Sequence, residues 1–122
     1  MSRLHCNAVT LGYARHTIVE GLDLALLDDA VTVVIGANGS GKSTVLRALA
    51  RVLRPARGRV LLDGADISSL PTRDVARRLA LLPQGVEAPD GLNVEELVSL
   101  GRFPHQRGFG GATAADRRAV QW

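Results

Sequence analysis

Gly36-Ala37-Asn38-Gly39-Ser40-Gly41-Lys42-Ser43-Thr44 sets glycines and hydroxyl side chains around one lysine. A segment without bulky β-carbons can turn its backbone N–H groups inward and surround a dense anion. The lysine ammonium can reach between the anion's oxygens, and a hydroxyl beside it can ligate Mg2+. The spacing fits G-x-x-x-x-G-K-[ST], the P-loop, and the chemistry it implies is capture of nucleotide phosphates. Of the 15 Lys and Arg residues only Lys42 is a lysine. A compact ammonium and a planar guanidinium differ most in use at a phosphate, and that is where the exception falls.

A P-loop needs a strand before it and a helix after it. Val31-Thr32-Val33-Val34-Ile35 is a short β-branched run, predicted to be the central strand of a parallel sheet, buried on both faces. After the loop, Val45, Leu46, Leu49 and Leu53 recur at helical spacing, which predicts an amphipathic helix over Ser43 to Leu53. Arg47, Arg51 and Arg54 fall opposite, as a wet face, and Pro55 and Gly58 are expected to stop the helix.

Upstream, Leu22, Leu24 and Leu26 alternate with Asp23 and Ala25, so Thr17 to Leu26 is expected to be a half-buried strand with Leu4 to Ala14 as its partner. Downstream come a strand over Arg59 to Leu62 closed by an Asp63-Gly64 turn, a short helix over Pro71 to Arg78, and a buried strand over Leu79 to Leu82 leading to Pro83-Gln84. Asn93 caps a helix over Val94 to Leu100, with Glu95 and Glu96 in its first turn and Gly101 ending it. Thr113 with Asp116 resembles a capping box that opens a last helix. The expected fold class is α/β, a P-loop core of parallel sheet and flanking helices preceded by an antiparallel β layer. Residues 1–85 are assigned to the core and 86–122 to the start of a helical subdomain.

The chain has 122 residues, 46% of them hydrophobic, which suits one modest globular core. Its apolar runs fall far short of the roughly 20 residues a membrane-spanning helix needs. Met1 to Asn7 lacks the pattern of a secretory signal, so a cytoplasmic location is expected. Cys6 is the single cysteine and reads as a packing residue; the three histidines have no metal-ligand spacing. The net charge is +3. The arginines are spread along the chain and aromatics make up 3% of it, so no basic, stacking surface for nucleic acid is expected.

Taken whole, the chain resembles the N-terminal half of an ABC-transporter ATP-binding subunit. Gly36 to Thr44 matches that family's Walker A segment, and Tyr13, in Leu11-Gly12-Tyr13, stands where its adenine-stacking aromatic is expected. Leu79-Ala80-Leu81-Leu82-Pro83-Gln84 resembles the strand entering the Q-loop, whose glutamine lies near Mg2+ and the attacking water; Gln84 is the counterpart. Val94 to Gln106 is similar to a stretch typical of importers of ferric siderophores, haem and cobalamin. In that stretch His105 reads as structure near the permease contact, and Asp63 reads as a turn former.

The resemblance implies ATP and Mg2+ as ligands. Gly36, Asn38, Gly39, Ser40, Gly41, Lys42, Ser43, Thr44 and Tyr13 would hold the nucleotide. Ser43 and Gln84 would face the metal, with Lys42 and Gln84 the catalytic pair. It also implies a second ATP-binding subunit, a transmembrane permease at the inner face of the membrane and, indirectly, a periplasmic or lipoprotein substrate-binding protein.

Asp29 replaces a glycine usual before the P-loop strand, and Asp tolerates positive φ better than most residues. A Leu-Ser-Gly-Gly-Gln-type signature, an apolar strand ending in Asp-Glu downstream of the loop, and a switch histidine are absent from these 122 residues. The chain is therefore expected to be the front part of a longer subunit and to supply half of a two-subunit ATPase site. Two alternatives stay open. One is a nucleotide-binding module without turnover; the other, a DNA-associated ABC ATPase, is disfavoured by the compact stretch between Lys42 and Gln84.

Overall fold

The computed structural model describes residues 2–85, 87–108 and 110–121. Residues 1–71 form one compact unit and 72–122 another.

The first unit is built on a four-stranded antiparallel sheet of order β2-β1-β3-β4. β1 (Leu4–Tyr13) and β2 (His16–Ala25) form a hairpin, with Tyr13 opposite His16 and His5 opposite Ala25. β1 lies centrally because β3 (Arg57–Leu62) pairs along its other edge, Leu4 opposite Leu62 and Cys6 opposite Val60. β4 (Ala65–Asp66) returns from β3 through the predicted Asp63-Gly64 turn, both of whose residues have positive φ. The Arg3 guanidinium grips the Asp63 carboxylate at 2.7 and 3.0 Å, and the Arg3 amide donates to Asp28 at 2.8 Å.

One helix, α1 (Lys42–Leu49), covers the core. Cys6, Val9 and Leu11 of β1 meet a layer that also holds Val60 and Leu62 of β3, Ile67, and Val45, Ala48 and Leu49 of α1. Leu11 and Val9 are wholly buried, and side chains of that size contribute about 1.5–3 kcal/mol each when removed from water. Cys6 packs here as expected, and burial pushes its thiol pKa up.

α1 is shorter than the apolar spacing predicts. It stops at Leu49 because Arg51 turns left-handed, with φ 63. The Val52 amide then donates to Arg47 O at 2.8 Å and the Arg51 amide to Ala48 O at 3.1 Å, which is a Schellman closure ahead of Pro55 and Gly58. The expected wet arginine face holds at Arg47 and Arg54, both exposed, and Arg47 is also engaged by a tyrosine; Arg51 departs from it, half-buried with its Nη1 buried and unbonded among the described residues.

Two predicted strands do not form. Residues 31–35 and 79–82 are in no ladder, and Val31, Ile35 and Leu82 are 92%, 87% and 91% exposed. A strand buried on both faces exists only when neighbours pair with it, and the antiparallel sheet of the described residues includes neither segment. Asp29, ahead of the first of these segments, does take positive φ, 52°.

In the second unit α2 (Thr72–Ala76) is followed by α3 (Val94–Ser99), a 3-10 helix (Leu100–His105) and α4 (Ala114–Gln121). α3 opens with a reciprocal capping box: Asn93 Oδ1 accepts from the Glu96 amide at 2.8 Å while the Glu96 carboxylate accepts from the Asn93 amide at 2.9 Å. Gly101 does not end the helical run, which tightens into the 3-10 turn and continues to His105. Asp116 plays the capping role at α4: its Oδ2 accepts from the Thr113 amide at 2.9 Å, and its own amide donates back to the Thr113 hydroxyl at 3.2 Å. Arg102 Nε donates to Asp116 Oδ1 at 2.9 Å, tying the 3-10 helix to α4. Arg73 and Arg77 donate to the carbonyls of Gln106 and Pro104. Among the described residues no helix is long and apolar enough to cross a membrane.

Candidate functional site

Residues 36–40 form an exposed loop that delivers the chain to the first turn of α1. A turn at Asn38-Gly39 folds the loop on itself; the Ser40 amide and hydroxyl both donate to Ala37 O, at 3.2 and 2.7 Å. Gly41 is the N-cap of α1, with φ 97 and ψ 10, and no side chain caps the helix start. The first-turn amides and the positive end of the helix dipole are thus offered at the mouth of the loop.

Lys42 returns over that mouth. Its ammonium donates to Gly36 O at 2.5 Å and to Ala37 O at 2.8 Å, so the positive charge rests on two neutral carbonyls of the loop itself. Neutral acceptors hold an ammonium less strongly than charged phosphate oxygens do. Ser43 beside it is exposed, whereas Thr44 is 6% exposed and packs inward. Uncapped amides, a cation on exchangeable partners and an accessible hydroxyl fit the polyphosphate of a nucleotide and the Mg2+ that accompanies it.

Tyr13 ends β1 and is brought to the same helix. Its hydroxyl accepts from Arg47 Nη1 at 2.9 Å, and its ring is 40% exposed. Hydrogen bonding from Arg47, and then from Thr44, holds its phenol below the ordinary value. The first unit therefore sets Gly36 to Thr44 at the first turn of α1 and Tyr13 alongside the same helix, bonded to Arg47 of its last turn and to Thr44. Gln84 belongs to the second unit, at an exposed turn with Gly85. His105 is the last residue of the 3-10 helix.

Arg47 is exposed, as its helical phase opposite Val45 and Leu49 predicts; what the sequence did not show is its bond to Tyr13. The signal that could have found that bond is its position one turn beyond Lys42-Ser43, on a helix that β1 must pack against.

A loop of this geometry opening a helix over a β layer is the arrangement of a P-loop ATP-binding core. A family model described as ABC transporter matches residues 19–122, and the chain belongs to that family. It is 45% identical over 122 residues to the iron(3+)-hydroxamate import ATP-binding protein FhuC of Bacillus subtilis, covering 100% of this chain and 45% of that protein. It is 46% identical over 121 residues to the probable siderophore transport system ATP-binding protein YusV of the same organism, covering 99% of this chain and 44% of that protein. A solved structure of an ATP binding subunit of an ABC transporter superposes with a TM-score of 0.77 at 23% identity, over 93% of this chain and 45% of that one. The chain thus spans about half the length of the relatives it matches.

Proposed function

We propose that the chain supplies the P-loop half of an ATP-hydrolysing site that energises ABC-type import of a ferric siderophore or a related iron, haem or cobalamin compound. The observation that carries this reading is the Lys42 ammonium held over the mouth of a loop that ends in an uncapped helix start. The likeness to FhuC, an iron(3+)-hydroxamate import ATP-binding protein, and to YusV, a probable siderophore transport system ATP-binding protein, supports the class of cargo.

In this reading Lys42 leaves the Gly36 and Ala37 carbonyls for the β- and γ-phosphate oxygens. The backbone of Gly36, Asn38, Gly39, Ser40 and Gly41 wraps the phosphates, and the amides of Ser43 and Thr44 face them from the helix N-terminus. The Ser43 hydroxyl and Gln84 would hold Mg2+, which when bound neutralises charge on the β- and γ-phosphates. Gln84 also orients the attacking water, and Tyr13 stacks on the adenine. A second ATP-binding subunit completes the site from the other side, and a permease, fed by a substrate-binding protein, receives the motion at the membrane's inner face. Residues 86–122 open the helical subdomain.

The test uses the complete subunit with its permease in membrane vesicles. Lys42→Ala is expected to abolish MgATP binding, ATP hydrolysis and uptake of ferric hydroxamate together. Uptake at the wild-type rate by that variant would refute the reading. ATP hydrolysis intact with ferric hydroxamate untransported would leave the ATPase and remove the cargo.

A further inference from the structure

Tyr13 is fixed at its backbone by the hairpin, where it pairs with His16 across the Ala14-Arg15 turn. At 40% exposure its ring is not gripped by packing on every side. The phenol oxygen lies at the far end of the side chain, so a bond there opposes swinging about χ1. Arg47 makes the 2.9 Å bond there from an exposed position on α1, and Thr44 of the same helix hydrogen-bonds the same phenol. The helix that presents the lysine and the first-turn amides therefore also carries the handle that sets the ring.

We infer that Arg47 is a positioning residue for base recognition: by donating to the Tyr13 hydroxyl it holds the ring in register with the phosphate loop, so that the base and the triphosphate of one nucleotide are engaged together. This inference rests on the phosphate-site reading above. Arg47 contacts neither phosphate nor base in it; its effect passes through Tyr13. Base-dependent affinity then depends on the Arg47–Tyr13 bond, and base-independent affinity does not.

The experiment compares MgATP with magnesium tripolyphosphate, which has no base, by calorimetric titration of the complete subunit. Arg47→Gln is expected to weaken MgATP roughly fivefold, the worth of one hydrogen bond from a charged donor at an exposed site. Tripolyphosphate affinity should change by less than about twofold, the small residual from removing one screened charge. Tyr13→Phe keeps the ring and the Arg47 charge while deleting the oxygen that both Arg47 and Thr44 bond; it should give a selective loss at least as large, and Arg47→Gln added to it should cost nothing more. Equal weakening of both ligands by Arg47→Gln, or MgATP binding unchanged in Tyr13→Phe, would overturn the inference. Lys42→Ala separates the two readings. If it loses both ligands while Arg47→Gln behaves like wild type, only the role of Arg47 fails; if it loses neither, the phosphate site fails and the inference with it.

Discussion

A β-carbon placed on Gly41 would stand 2.8 Å from Val19 Cγ2, and 3.0 Å from Ile18 Cγ2. The helix start that faces the loop is thus seated directly on β2, and the glycine at the N-cap is required by close approach as well as by its φ of 97°. Gly39, at φ 83, has open space around it.

These two glycines should therefore respond differently to alanine. Gly39→Ala carries backbone strain alone, about 1 kcal/mol. Gly41→Ala adds displacement of α1 from β2 and should cost roughly 2–3 kcal/mol or more. Urea unfolding of the two variants checks this, and equal midpoints would contradict the seating of α1 on Val19.

Arg51 occupies the left-handed position of the Schellman closure, where glycine is favoured, and leaves its Nη1 buried without a hydrogen-bond partner among the described residues. Arg51→Gly removes both costs and loses some unfolded-state restriction, for a net stabilisation of about 0.5–1 kcal/mol. A raised melting temperature is the expected result; a lowered one would mean that the arginine stem packs more usefully than its head costs.

The carboxyl pKa of Asp116 is lowered by the Thr113 amide and then by Arg102. A carboxylate with a lowered folded pKa adds stability above its unfolded value, near 4, and that stability is lost as pH falls through the folded value. The melting-temperature gap between wild type and Asp116→Asn should thus be full at pH 7 and shrink as pH falls below about 4 and through the folded value. A gap that is constant from pH 7 to pH 3 would show that the charge of Asp116 is not what stabilises α4.

Features settled within a few residues were legible in the chain. The Asn93 cap, the Thr113/Asp116 capping box, the Asp63-Gly64 turn and the P-loop all depend on side chain and backbone meeting over short separations. Their chemistry is complete in the local sequence. Residues 36–44, which the proposed function turns toward phosphate, belong to that class, which is why most of the candidate site could be named before any fold was known.

Features that need a distant partner were not. The β-branched run at residues 31–35 has the composition of a buried strand, yet strand formation is decided by ladder neighbours that a composition cannot supply. Arg47 has the helical phase of a solvated residue, and only the packing of β1 against α1 turns it toward Tyr13, 34 positions away. Arg51 ended its helix early through a backbone angle that arginine seldom takes, imposed by the closure around it. The sequence by itself determined the chemistry of the loop and the caps, because those interactions close over a few bonds. The β1–β2 pairing was legible too, but only the tertiary structure decided that β3 joins β1, that residues 31–35 and 79–82 stay outside the sheet and which side chains hold Tyr13, because each of those is settled by groups far apart in the chain.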